Sequence, residues 1–120
     1  LGSINLLKEI KKSEILHDVA IVGRLFSENK GIDAIVRFVN KSQNVRKIVI
    51  CGKDVWGHRS GHSLIMLHES GIDETGRIIG SRSPEPYLSV TRNEIEYFQK
   101  NIQLVNLIGE TNLDRIFARI

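Results

Sequence analysis

A chain of 120 residues with 41% hydrophobic and 26% charged side chains is sized and composed for one globular domain with its own core. Its 17 basic and 14 acidic residues leave a net charge of +3 without a long basic run, and aromatic residues make up only 6%, so nucleic acid is not an expected partner. No apolar run approaches the roughly 20 residues that cross a bilayer. No membrane span and no secretory leader are expected. The one cysteine, Cys51, can form no internal disulfide, which fits a reducing, cytoplasmic setting.

The expected organisation is a single domain over residues 1–120, with an N-terminal helix within 1–17 and an α/β core over 18–120. Ile4, Leu6, Leu7, Ile10 and Ile15 recur at near-helical spacing between charged residues. Asp18–Val22 is a short β-branched run, with Val19, Ala20, Ile21 and Val22 apolar, suited to a parallel strand buried on both sides. Gly23 and Arg24 follow, then a loop from Phe26 to Asn29. Ile32, Ile35, Val36 and Val39 repeat at three and four, which predicts a helix from about Gly31 with Asn29 as its cap.

Lys47–Cys51 is a second apolar strand signature, broken at Gly52. A helix is predicted from about Ser60 to Glu69, closed by Gly71. Asp73–Gly76 reads as a turn and Arg77–Gly80 as a short strand. Ser81–Ser89 holds both prolines, Pro84 and Pro86, and must be irregular. Thr91-Arg92-Asn93-Glu94 is a capping-box sequence that starts a helix. Leu104–Ile108 is a further strand run, and Thr111 opens a last helix with Leu113, Ile116, Phe117 and Ile120. Strand–loop–helix alternation of this kind predicts an α/β fold: a mostly parallel sheet of about four strands flanked by helices, in a Rossmann-like three-layer sandwich.

Parallel sheets of this class bind ligands just outside the carboxyl ends of their strands. That places the candidate chemistry in Gly52–Ser60, between a strand and a helix, with Trp56, Asp54 and His58 in it and His62 just beyond. Two readings stand side by side for its glycines: relief of backbone strain at a turn, or close approach of a flat ligand. No dinucleotide fingerprint, phosphate loop or nucleophile elbow is present. His58 and His62 are four apart, but His58 precedes the predicted helix, and there is no cysteine pair, so a dedicated zinc site is not expected. Asp54 could orient either histidine. The residues alone therefore leave three readings: a cofactor facing His58, an α/β domain that holds a nucleotide or other anion at the helix starts near Asn29 and Ser60, or an assembly subunit that binds only protein partners.

Asn44–Ser63, NVRKIVICGKDVWGHRSGHS, resembles the cobamide-binding A subunit of tetrahydromethanopterin S-methyltransferase of methanogenic archaea. The likeness continues through Leu67–Asp73, Ile78–Gly80, Glu96–Gln99 and Val105–Ile108, with Glu28–Ile32 upstream. The resemblance implies a corrinoid-binding methyl carrier: one component of a transferase rather than a complete enzyme, working with other methyltransferase subunits. Methyl-tetrahydromethanopterin and coenzyme M would be its indirect donor and acceptor. It implies cobalamin or a related cobamide as cofactor and His58, in the V-x-G-H-x-x-G segment, as the axial cobalt ligand. Gly52, Val55, Gly57, Gly61 and Ser63 would line the corrin. Gly23, Glu28, Asn29, Gly80, Pro84 and Tyr87 would approach it from neighbouring loops, with the side chains of Glu28, Asn29, Ser63 and Tyr87 bonding its amides. Other corrinoid proteins pair the ligand histidine with the aspartate of D-x-H-x-x-G; here Asp54 precedes His58 by four residues.

Overall fold

The structure, a computed structural model, describes residues 6, 8–10, 22–25, 27–54 and 57–120. Six elements are laid out in it: α1 (Lys30–Lys41), β1 (Lys47–Gly52), α2 (Ser60–Ser70), α3 (Arg92–Asn101), β2 (Gln103–Ile108) and α4 (Leu113–Phe117). Leu6 and residues 8–10 are helical as well, within the expected N-terminal helix.

β1 and β2 run parallel and in register, from Lys47 opposite Gln103 to Gly52 opposite Ile108. A parallel pair cannot be joined by a tight turn, and the connection here consumes α2, an irregular excursion over 71–91 and α3. Side chains alternate across the pair, as the period of two requires. Ile48, Ile50 and Leu104 pack on a core built from Ile32, Val36 and Val39 of α1, Leu64 and Leu67 of α2, and Ile95 and Phe98 of α3. Val49, Cys51 and Leu107 pack on the opposite side with Leu6, Ile10 and Ile116. Helical residues therefore cover both faces of the sheet, which explains why β1 reads as an unbroken apolar run. Burial pushes the Cys51 thiol above its ordinary range, consistent with a packed, unreactive side chain.

The helices form where their local chemistry favours them. In α1 the Asn29 side chain accepts from the Lys30 N–H at 2.6 Å and the Ser27 hydroxyl accepts from the Gly31 N–H at 2.8 Å. α2 ends at Gly71, whose φ of 74° suits glycine and whose N–H returns to the Leu67 carbonyl. α3 carries the expected capping box: Thr91 Oγ1 accepts from the Glu94 N–H at 3.2 Å, and Glu94 Oε1 accepts from the Thr91 N–H at 2.9 Å. The cap of α4 is Asn112 rather than Thr111, its side chain accepting from the Arg115 N–H.

Two strand expectations are corrected or left aside. Arg77–Gly80 is not a strand of the sheet; it makes only isolated antiparallel bridges, Ile72 to Ile78 and Arg77 to Tyr87. Gly76 and Gly80, with φ of 86° and 81°, leave the extended region on both sides of this apolar run, so it cannot lengthen into a ladder. Of the expected strand Asp18–Val22, only Val22 is described and it is not in a strand; the rest lies outside the described residues. Among the described residues the fold is thus α/β with a two-stranded parallel sheet.

The excursion is strapped to α1 through Asp33. This buried carboxylate accepts from the Ser89 N–H at 3.0 Å, the Ser89 hydroxyl at 2.9 Å and the Val90 N–H at 3.2 Å. Three donors offset the cost of keeping a carboxylate out of water.

Replacing Thr91 with alanine should lower stability by about 1 kcal/mol in urea unfolding, the usual worth of such a cap. The partner carboxyl, Glu94, is held below its ordinary range chiefly by the Thr91 N–H. Its contribution is therefore complete above the ordinary glutamate range and is lost as pH falls through the lowered folded-state value. The difference between wild type and Glu94→Gln should accordingly shrink on acidification.

Candidate functional site

The site begins where β1 stops. Gly52 donates its N–H to the Glu110 carbonyl and accepts from the Gly109 N–H, both at 2.7 Å, which ties together the carboxyl ends of the two strands. Its φ of 76° then turns the chain off the sheet. Asp54 reaches forward to the start of α2, where its Oδ1 accepts from the Gly61 N–H at 3.0 Å and its Oδ2 from the His62 N–H at 3.1 Å. A carboxylate at this position satisfies two of the open amides of a helix start and complements its dipole. Gly61 lets α2 pack closely here: a Cβ would lie 3.2 Å from Ile108 Cδ1 and 3.3 Å from Asp54 Oδ1.

Between Asp54 and α2 lies an exposed turn at Gly57 and His58. Arg59 follows in the left-handed region, with φ of 47° and ψ of 46°. A non-glycine residue there costs roughly 1–3 kcal/mol and persists only where its surroundings enforce it. The surroundings are the Ser81–Ser83 segment. Ser83 Oγ donates to the His58 carbonyl and lies 3.3 Å from the Arg59 carbonyl. Ser83 Oγ also pairs with Ser63 Oγ, which in turn lies 2.5 Å from Ser81 Oγ. All three serines are buried. The backbone around His58 is thus fixed from below by hydroxyls.

The His58 ring is held separately. Its Nδ1 lies 3.1 Å from Oε2 of Glu28, and the side chains are 56% and 3% exposed respectively. A carboxylate only accepts, so Nδ1 carries the hydrogen and Nε2 is the nitrogen with a free lone pair when the ring is neutral. The other oxygen of Glu28 accepts from the Glu85 N–H at 3.1 Å, and Asn29 Nδ2 donates to the Glu85 carbonyl at 3.3 Å. One buried carboxylate thereby receives donors from two loops.

The structure brings Glu28, Asn29, His58 and Ser63 into one hydrogen-bonded arrangement. Gly57 and Gly23 are exposed, and nothing lies within 4 Å of where a Cβ would stand on either. Pro84 and Tyr87 are exposed residues of the loop that contains Glu85, and Gly80 is exposed beside Met66. Gly52, Gly61 and Ser63 are buried. Val55 and Trp56 lie outside the described residues. His68 has a structural place: its Nε2 donates to the Ile102 carbonyl at 2.7 Å and its ring meets Phe98 edge-on at 5.2 Å. The helix starts near Asn29 and Ser60, where an anion could bind, are taken by the protein's own Asn29, Ser27 and Asp54.

Sequence reasoning missed Ser81 and Ser83, which read only as part of a polar, proline-containing loop. It also offered Asp54 as the residue to orient a histidine, whereas both of its oxygens engage backbone amides and Glu28, 30 residues before His58, meets the ring.

The family model MtrA, described as the A subunit of tetrahydromethanopterin S-methyltransferase, matches residues 2–120, and the chain belongs to that family. Similar curated proteins include the A subunit of the putative methyltransferase Mtx of Methanosarcina barkeri, 40% identical over 84% of this chain and 52% of its own length. The A 2 subunit of tetrahydromethanopterin S-methyltransferase of Methanothermobacter thermautotrophicus is 41% identical over 84% of this chain and 56% of its own. The A 1 subunit of the same organism is 34% identical over 100% of this chain and 51% of its own. The chain thus spans about half the length of the curated relatives it matches.

Removing the Asp54 carboxylate with Asp54→Ala should cost about 1–2 kcal/mol, since it leaves the Gly61 and His62 amides without their acceptor. Urea unfolding measures the loss, and amide exchange should quicken most in the first turn of α2.

Proposed function

We propose that this chain is the corrinoid-binding domain of a methyltransferase subunit, holding cobalamin or a related cobamide at the carboxyl end of the sheet with His58 Nε2 as the ligand to cobalt. The observation that carries the proposal is the His58 ring itself, exposed, with Nδ1 tied to a buried carboxylate, so that Nε2 is the nitrogen that would meet a metal. Imidazole suits a transition metal of this kind, and a hydrogen bond from its other nitrogen to a carboxylate fixes its orientation and raises its basicity. When bound, the corrinoid would supply a cobalt centre able to take up a methyl group and give it on.

This chain's residues would serve that chemistry by placement. The open space at Gly57 and Gly23 allows a large flat group to approach the backbone. Glu28 and Ser63, both buried, would act beneath the site, Glu28 on the His58 ring and Ser63 through Ser81 and Ser83. Asn29 would steady the Glu85 loop from the side. Pro84 and Tyr87, two exposed residues of that loop, would meet the ring's edge. Helical cover on both faces of a parallel pair supports a Rossmann-like three-layer reading of the domain, a class that binds at this end of its sheet. By family membership the partners would be the other subunits of a methyltransferase, with methyl-tetrahydromethanopterin as the indirect donor and coenzyme M as the indirect acceptor.

Incubation with cobalamin followed by gel filtration should give coloured protein carrying cobalt in a one-to-one ratio. His58→Ala should change the visible spectrum of the bound cofactor and weaken binding by about ten-fold or more. Protein that elutes colourless while nucleotides raise its melting temperature would overturn the proposal in favour of an anion-binding domain.

A further inference from the structure

Three buried hydroxyls converge beneath the turn that carries His58, and their hydrogens can be counted. Each serine has one hydrogen to give. Ser83 Oγ meets the His58 carbonyl, which only accepts, so the Ser83 hydrogen goes there. The contact between Ser83 Oγ and Ser63 Oγ then takes its hydrogen from Ser63. The contact between Ser63 Oγ and Ser81 Oγ takes its hydrogen from Ser81, whose oxygen accepts in turn from the Ser83 N–H at 3.1 Å. The order is thereby fixed: Ser81 gives to Ser63, Ser63 to Ser83, and Ser83 to the backbone of His58. We infer that Ser83 is the positioning residue of the His58 turn, and that its hydrogen bond to the His58 carbonyl holds Arg59 in the left-handed conformation. This inference rests on the proposed function only for what the turn then presents to a ligand; the conformation of Arg59 is independent of it.

The constraint acts through one torsion. The φ of Arg59 sets how the His58–Arg59 peptide lies against the start of α2. Asp54 fixes the helix end by binding the Gly61 and His62 amides. Ser83 fixes the peptide end by binding the His58 carbonyl, and its Oγ lies 3.3 Å from the Arg59 carbonyl as well. Between these two anchors the torsion has no freedom left. Nothing local to Arg59 accounts for its φ of 47°. A residue just before a helix is ordinarily extended, and the Arg59 side chain makes no capping bond to α2. Among the described residues Arg59 is the only non-glycine with positive φ. Ser63 is fully buried and Ser83 is 5% exposed, so water is kept from taking over the carbonyl. Hydroxyls that donate in series polarise one another, which strengthens the last bond of the chain, the one that reaches His58.

In the cofactor-free protein, a strong nuclear Overhauser effect between the amide and α protons of Arg59 marks a positive φ. It should be strong in the wild type and much weaker in Ser83→Ala. It should persist in Ser63→Ala and Ser81→Ala, which leave the last bond of the chain in place. Ser83→Cys, which keeps the shape and offers only a weak donor, makes the same comparison if the alanine variant does not fold. A wild-type Arg59 without the strong signal overturns the inference, as does a signal that stays strong when the Ser83 hydroxyl is removed from a folded protein. Titration with cobinamide, which lacks an axial base of its own, should then show binding weakened about ten-fold in Ser83→Ala. Adding Arg59→Gly, which makes a positive φ free of cost, should recover most of that loss. Adding Arg59→Ala, which removes the same side chain and keeps the cost, should not. Equal affinity of wild type and Ser83→Ala, or no difference between the glycine and alanine additions, would overturn the positioning role. Failure of wild type to bind cobinamide would count against the proposed function and leave the Arg59 signal to decide the inference.

Discussion

The site depends on one buried negative charge. Taking the Glu28 carboxylate out of water is costly unless donors replace the lost hydration. This chain supplies two donors, from loops far apart in sequence: the His58 ring and the Glu85 amide. Because both bind one carboxylate, the turn that presents His58 and the loop after Ser81 cannot settle independently. Serine hydroxyls complete the arrangement from beneath, and the left-handed Arg59 records the backbone strain it imposes.

The same device recurs elsewhere in the domain. Asp33 accepts from the backbone of Ser89 and Val90, Asp54 from Gly61 and His62, and Glu28 from Glu85. Each carboxylate fastens an irregular segment to a helix or helix start, where a parallel pair of only two described strands could not organise such long connections through ladder bonds. The apolar core shapes the layers, and these charge-assisted bonds hold the irregular segments around His58 and the start of α2. Membership of the MtrA family joins the His58 site to methyl transfer in the proposed reading.

Much of the fold was legible in the sequence because local chemistry decides it. The three-and-four spacing of Ile32, Ile35, Val36 and Val39, the Thr91–Glu94 capping box and Gly71 each announce an element end or face that the structure contains. Arg77–Gly80 misled, because an apolar pair between two positive-φ glycines reads as a strand although its partners are isolated bridges. At the candidate site, the loop between β1 and α2 could be found from glycine placement and the strand-end rule, while His58 within it was singled out by the family resemblance. Glu28 as the ring's partner could not, since the contact spans 30 residues and arises from how α1 and the excursion meet. Nor could the Ser63–Ser81–Ser83 hydroxyls, which have no periodicity to betray them.

The most direct test of the central claim is electron spin resonance of cobalt(II) cobinamide bound to this protein, since that corrinoid brings no nitrogen base to the metal. Coordination by His58 should split the cobalt lines into triplets with natural-abundance protein and into doublets when histidine carries 15N. Lines without nitrogen splitting, or a pattern indifferent to the label, would contradict the account.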